Sequence, residues 1–159
     1  MDILSHQWKI RHGDVSKKQT IKHERKYIDF VISGQPLSEI LHTKERDMIS
    51  MFGWAFNKEY ENRTLKEFIG QAPVELETGR TIIYGCSECG DIGCGAITAE
   101  ILHLDEKVVW RHFGYENDYS GFDLADFKKI GPFEFAKVEY LNEFKKINSE
   151  LNSILRKED

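Results

Sequence analysis

The sequence predicts an α+β fold: a single domain over residues 1–159, in which an antiparallel sheet with a cysteine-containing turn and a β-hairpin is packed by a long C-terminal amphipathic helix. Three observations predict it. Two β-rich runs, Ile97 to Leu104 and Lys107 to Phe113, flank Asp105-Glu106. A two-residue loop there sets Glu100 opposite Arg111, Ile101 opposite Trp110 and Leu102 opposite Val109, charge facing charge and apolar facing apolar. Next, Val138, Leu141, Phe144, Ile147, Leu151, Ile154 and Leu155 recur at three- and four-residue spacing over Lys137 to Leu155, the period of a helix with one buried stripe. Finally, a chain of 159 residues without internal repeat, low-complexity tract or Pro/Gly/Ser linker is long enough for one core and gives no sign of a second.

The other elements are read from shorter signals. Tyr27 to Ser33 joins aromatic and β-branched residues ahead of Gly34, a strand ending in a turn, and Leu37 to Leu41 begins a short helix. Thr64-Leu65-Lys66-Glu67 fits a capping box, hydroxyl and carboxylate satisfying the free amides of a first helical turn, so a short helix is expected from Thr64 until Gly70 and Pro73 end it. Gly79 launches Arg80 to Tyr84 as another strand. Trp8 and Trp54 are expected to be packed, because large aromatics bury most of their surface.

Composition narrows the function classes. At 40% apolar and 31% charged the chain is globular in make-up, with no apolar run of bilayer length. Met1 to Lys9 lacks the basic patch, apolar stretch and small-residue cleavage site of a secretion signal, so a cytoplasmic address is expected. The net charge of −5 hides an asymmetry: residues 1–28 hold seven Lys/Arg against three Asp/Glu, leaving 15 basic and 24 acidic residues beyond. A body of that sign repels nucleic-acid phosphates and favours basic partners. The basic run Lys17 to Lys26 has no aromatics and reads as solvated surface. Walker-type phosphate loops, G-x-G-x-x-G in a strand–helix context, G-x-S-x-G elbows and H-E-x-x-H pairs do not occur. His6, His12, His23 and His42 have no ligand spacing. No catalytic residues are assigned, and an enzyme is the less favoured class.

Two stretches carry functional signals. Cys86-Ser87-Glu88-Cys89-Gly90-Asp91-Ile92-Gly93-Cys94-Gly95 spaces its thiols as C-x2-C-x4-C between two expected strands. Three cysteines clustered within nine residues suit a reducing compartment, and a Cys-x-x-Cys-Gly turn directs two thiolates at one zinc ion. A structural zinc site takes four ligands. In the expected hairpin register His112 pairs with Ala99 near Cys94, which makes it the candidate fourth ligand beside Cys86, Cys89 and Cys94, with Asp91 behind it. The alternatives are a tight turn of buried, inert cysteines and a redox pair. Thioredoxin-like chemistry is disfavoured, because Gly90, Gly93 and Gly95 lead into a strand and not into the helix N-terminus that lowers a thiol pKa.

The run from Ile83 to Thr98 with its C-x-x-C-G-D-x-G-C-G-A core, then Val108-Val109-Trp110-Arg111-His112-Phe113-Gly114-Tyr115-Glu116 and Gly131-Pro132-Phe133-Glu134-Phe135, resembles an uncharacterised family of small bacterial proteins. Ile28-Asp29-Phe30 and Gly34-Gln35-Pro36-Leu37 echo the same family nearer the N-terminus. The resemblance implies one bacterial, cytoplasmic domain and brings no catalytic residue set with it.

The second stretch, residues 115–127, contains four acidic and four aromatic residues among its 13 and no basic one. Rigid aromatic anchors beside carboxylates are suited to capping the cationic active site of a nuclease, so Tyr115, Glu116, Asp118, Tyr119, Phe122, Asp123 and Asp126 are expected to form a partner-binding surface. The leading expectation is therefore a small acidic cytosolic binding protein, an immunity or antitoxin protein that neutralises a bacterial toxin such as a nuclease domain by direct association. The alternative is a zinc-binding or thiol-dependent protein centred on the cysteine turn, with zinc as the only cofactor implied. Neither nucleic acid nor membrane is an expected partner.

Overall fold

The expected hairpin forms and becomes the spine of the largest sheet among the described residues. In the computed structural model, which describes residues 1–15, 20–54 and 57–158, the strands are β1 (Leu4–Arg11), β2 (Asp14–Val15), β3 (Thr20–Lys22), β4 (Arg25–Ile32), β5 (Gln35–Pro36), β6 (Met48–Ile49), β7 (Thr81–Cys86), β8 (Ala96–His103), β9 (Lys107–Asn117), β10 (Gly121–Asp123) and β11 (Phe133–Ala136). The helices are α1 (Leu37–Ile40), α2 (Lys58–Phe68) and α3 (Lys137–Glu158). Strands β10-β9-β8-β7-β6 form an antiparallel sheet, with β11 also on β9; β1-β4-β5 form a second sheet and β2-β3 a small third one. Of the basic run Lys17 to Lys26, residues 17–19 lie outside the described residues.

Register follows side-chain chemistry. Glu100 faces Arg111, Ile101 faces Trp110 and Leu102 faces Val109, as expected. Beyond Arg111 the pairing changes: Thr98 faces Gly114, so His112 and Phe113 share the single residue Ala99 in a β-bulge. His112 takes φ +55°, turns its ring towards Glu100 (Nδ1 to carboxylate 3.4 Å) and offers its carbonyl to Arg80. The simple His112–Ala99 pair of the sequence reading is thereby corrected.

The core lies where the two larger sheets meet α2 and α3. Phe30 of β4, Phe68 of α2 and Trp110 of β9 pack ring to ring with centroids 5.3–5.6 Å apart, and Phe144 of α3 lies 5.4 Å from Phe68. Burial of such rings is the main stabilising term, each worth roughly 1.5–3 kcal/mol relative to exposure. Strand β4 is covered on both faces, so Tyr27, Ile28, Asp29 and Phe30 are all buried in succession. The one charge in that run, Asp29, is satisfied by Tyr84 Oη, Ser38 Oγ and Lys9 Nζ.

Two helices differ in detail from the sequence reading. Helix α2 begins at Lys58, where the Asn57 side chain accepts the Tyr60 amide at 3.1 Å, and Thr64 sits inside it with its hydroxyl donating to the Tyr60 carbonyl at 2.9 Å. The apparent capping box is an interior turn, since a hydroxyl can bond the carbonyl four residues back as readily as a free amide. In α3 the buried stripe is Tyr140, Phe144, Ile147 and Leu151, while Val138 is 69% exposed. Tyr140 joins the core because its hydroxyl finds the Phe68 carbonyl at 2.6 Å and accepts from Trp110 Nε1 at 3.1 Å. Trp8 packs against the core edge, and Trp54 lies half-buried under the Arg25 guanidinium. Among the described residues no helix is long and apolar enough to cross a membrane.

Candidate functional site

The cysteine turn starts where β7 ends. Cys86 pairs across to Met48, and its carbonyl accepts the Gly90 amide at 2.9 Å, closing the first loop around Glu88 and Cys89. Gly90 has φ +68°, a conformation that a side chain would strain. Asp91 then caps a short 3-10 turn, Ile92–Cys94, by accepting the Gly93 amide, and Gly95 hands the chain to β8. At Gly95, φ is +88° and the Tyr115 hydroxyl occupies the space a Cβ would need. Only glycine lets the turn fold flat against that ring.

This local chemistry converges the three sulfurs. The Sγ atoms of Cys86, Cys89 and Cys94 all lie within 4.8 Å of one another, with Cys89 and Cys94 3.4 Å apart. Tetrahedral zinc–thiolate bonds of about 2.3 Å require sulfurs about 3.8 Å apart, so the group has the dimensions of one ion's ligand set. Cys86 is half-buried, and Cys89 and Cys94 are exposed. Burial alone would raise the Cys86 thiol pKa, but the backbone amides of Cys89 and Glu88 and the two neighbouring thiols outweigh it and the net shift is downward. Cys94 is pushed up to about 12, first by its hydrogen bond with Cys89 and then by charge on Cys86 and Cys89. Binding a metal through these sulfurs would release thiol protons, so occupancy would depend on pH.

A clamp from the N-terminal sheet holds the turn. Arg11 Nη1 donates to Glu88 at 2.8 Å, the His23 amide at 3.0 Å and its ring nitrogen lies 2.7 Å away. Arg25 donates to the Ser87 and Glu88 carbonyls at 3.0 and 3.1 Å. Burial works to raise the Glu88 pKa, yet the Arg11 and His23 contacts bring it down to about 2. The sequence reading placed His23 and Arg25 in a solvated basic run and gave Arg11 no role; Arg25 is instead half-buried against the turn. The excess of positive charge in residues 1–28 is the only sequence signal that points to them.

The two stretches singled out in the sequence meet at this turn. Besides Tyr115 against Gly95, the Tyr119 hydroxyl reaches the Gly93 carbonyl at 3.5 Å, and Asp91 and Asp118 flank the bare face of Gly93. The seven residues of the expected partner surface do not share one environment. Glu116 is buried, accepting from Thr78 and Thr98 hydroxyls with Arg80 Nε at 3.5 Å. Tyr115 is half-buried beneath Arg46, which also binds Asp126 at 2.6 Å. Asp118, Tyr119, Phe122 and Asp123 are exposed, although Phe122 also lies over the Arg80 guanidinium, 4.6 Å from its ring. His112 is not brought to the thiols: among the described residues the close group consists of the three cysteines alone, and His112 faces Glu100. Asp91 caps the turn from within.

Beside the turn a cavity of about 650 Å³ opens between Tyr60 of α2, the segment from Glu75 to Thr78, the strand end at Glu116–Asp118 and the turn itself, with Cys89 in its wall. Compared with protein families, curated proteins and solved structures, the chain finds no match.

Proposed function

We propose that this is a zinc-binding protein in which Cys86, Cys89 and Cys94 hold the ion. The convergence of three sulfurs within 4.8 Å carries the reading. Soft thiolates favour zinc over hard cations, and the clamp on Glu88 holds the loop between two of the ligands in a fixed shape before metal arrives. The test is metal content and thiol titration on protein purified without a metal-binding tag. About one zinc per chain is expected, with thiols protected until a chelator is added. Metal-free protein whose thiols stay unprotected when zinc is supplied would sink the proposal.

A second reading is supported by the exposure of Tyr119 (79%) and Phe122 (47%) beside Asp118 and Asp123. Here the same protein is an acidic cytosolic immunity or antitoxin protein that docks on a basic partner such as a toxin nuclease domain, with the zinc turn as structural support. Association with such a domain should weaken as salt rises, and Asp118→Asn with Asp123→Asn should flatten that dependence. Salt-dependent binding left intact in the double variant would rule out this face.

A further inference from the structure

The thiol group offers three ligands, and among the described residues no histidine or carboxylate joins it within the same 4.8 Å. Structural zinc sites are closed by four protein ligands, whereas sites that exchange a ligand have three and an open position. Of the three cysteines, Cys89 is the one that borders a cavity. Cys89 lies in the wall of the 650 Å³ cavity, within the range of small-molecule pockets.

The wall has a consistent chemistry. Its ionisable residues besides Cys89 and Tyr60 are Glu75, Glu77, Asp91, Glu116 and Asp118, and among the described residues no Lys, Arg or His lines it. Glu116 is neutralised from behind by Arg80, and Glu75 is near Arg63 at 3.9 Å. Asp91 and Asp118, beside Gly93 of the turn, set the sign at that end of the cavity, each 3.7 Å from the point where a Gly93 Cβ would stand. Three thiolates overbalance a divalent ion by one negative charge, so the centre and its wall both repel anions. Leu76, Ile82 and Ile92 give the cavity apolar surface for a carbon skeleton.

We infer that the three-cysteine centre keeps its fourth coordination position open to this cavity, and that the cavity takes a small organic cation carrying a neutral nitrogen donor, with Asp118 and Asp91 selecting the positive charge. This rests on the zinc reading above, and the experiment separates the two. The full-length protein is loaded with cobalt(II), whose visible bands report its ligands, and titrated with 1-propylimidazole and with 1-(3-aminopropyl)imidazole, which differ by an ammonium group. Both should shift the bands saturably, the aminopropyl compound binding roughly two- to fivefold more tightly, the scale of one exposed charge pair. Asp118→Asn should shrink that preference while leaving the cobalt–thiolate absorption in place. Failure to bind cobalt through the thiols would remove the metal reading itself. A cobalt site whose bands ignore both imidazoles would leave the metal reading standing and overturn the open position. Equal affinity for the two compounds would overturn the choice of a cation.

Discussion

The aromatic junction around Phe68 and the cysteine turn around Gly95 are held by different physics. At the junction, rings from β4, α2, β9 and α3 pack on one another, with Tyr140 bonded to the Phe68 carbonyl and to Trp110 Nε1 beside them. At the turn, two of the three thiols are exposed and position comes from backbone amides, glycine conformations and the Arg11–His23–Arg25 clamp. Stability should therefore reside in the first region and ligand geometry in the second.

The largest expected effect tests that division at the core. Phe68→Ala removes a fully buried ring in contact with Phe30, Phe52, Trp110 and Phe144, and should cost about 3–5 kcal/mol in urea unfolding. Metal stoichiometry of the folded fraction should be unchanged. A loss under about 1 kcal/mol would show that the junction is not the main source of stability. Next comes Gly95→Ala, which combines a strained φ of +88° with a collision against Tyr115. It should cost about 1–3 kcal/mol and displace Cys94 from its partners, so zinc affinity measured by competition with a chelator should fall further than folding stability does. Equal losses would mean that the turn and the core form one mechanical unit.

A further test concerns Glu67, which shares the wall of a small cavity with Tyr60, Thr64 and Ile82. Burial pushes its carboxyl from the ordinary 4.5 up to about 7. Between those values the folded chain keeps a proton that the unfolded chain has released. Stability should therefore fall as pH rises from 4.5 to about 7 and level off above. Glu67→Gln should flatten the change in urea midpoint between about pH 5 and about pH 8. An unaltered slope in the variant would place the titrating group elsewhere.

Legibility in the sequence tracked the range of the contacts. The hairpin register was readable because Glu100 and Arg111 are separated by one tight loop, and their pairing can be checked against the apolar pairs beside it. The start of α2 was misplaced because Asn57 and Thr64 are both helix-capping residue types, and only the backbone path shows which one meets free amides. Tyr140 was left out of the α3 stripe because its burial depends on a carbonyl 72 residues away. The grouping of the three cysteines was legible from their spacing, whereas His112 was kept out of that group by a bulge that no local signal announces.

The sequence by itself determined the α+β class, the hairpin, the C-terminal helix and the grouping of three thiols, because each depends on residues within a turn or two of one another. Tertiary structure decided the rest: that a basic N-terminal segment clamps Glu88 across 65 and 77 residues, that Glu116 is buried while Tyr119 is exposed, and that the acidic-aromatic stretch and the cysteine turn border one cavity. The reason is physical. Local periodicity and turn chemistry are written in neighbouring residues, but the partner of a charge or the depth of a ring is set by which distant strands the core brings together.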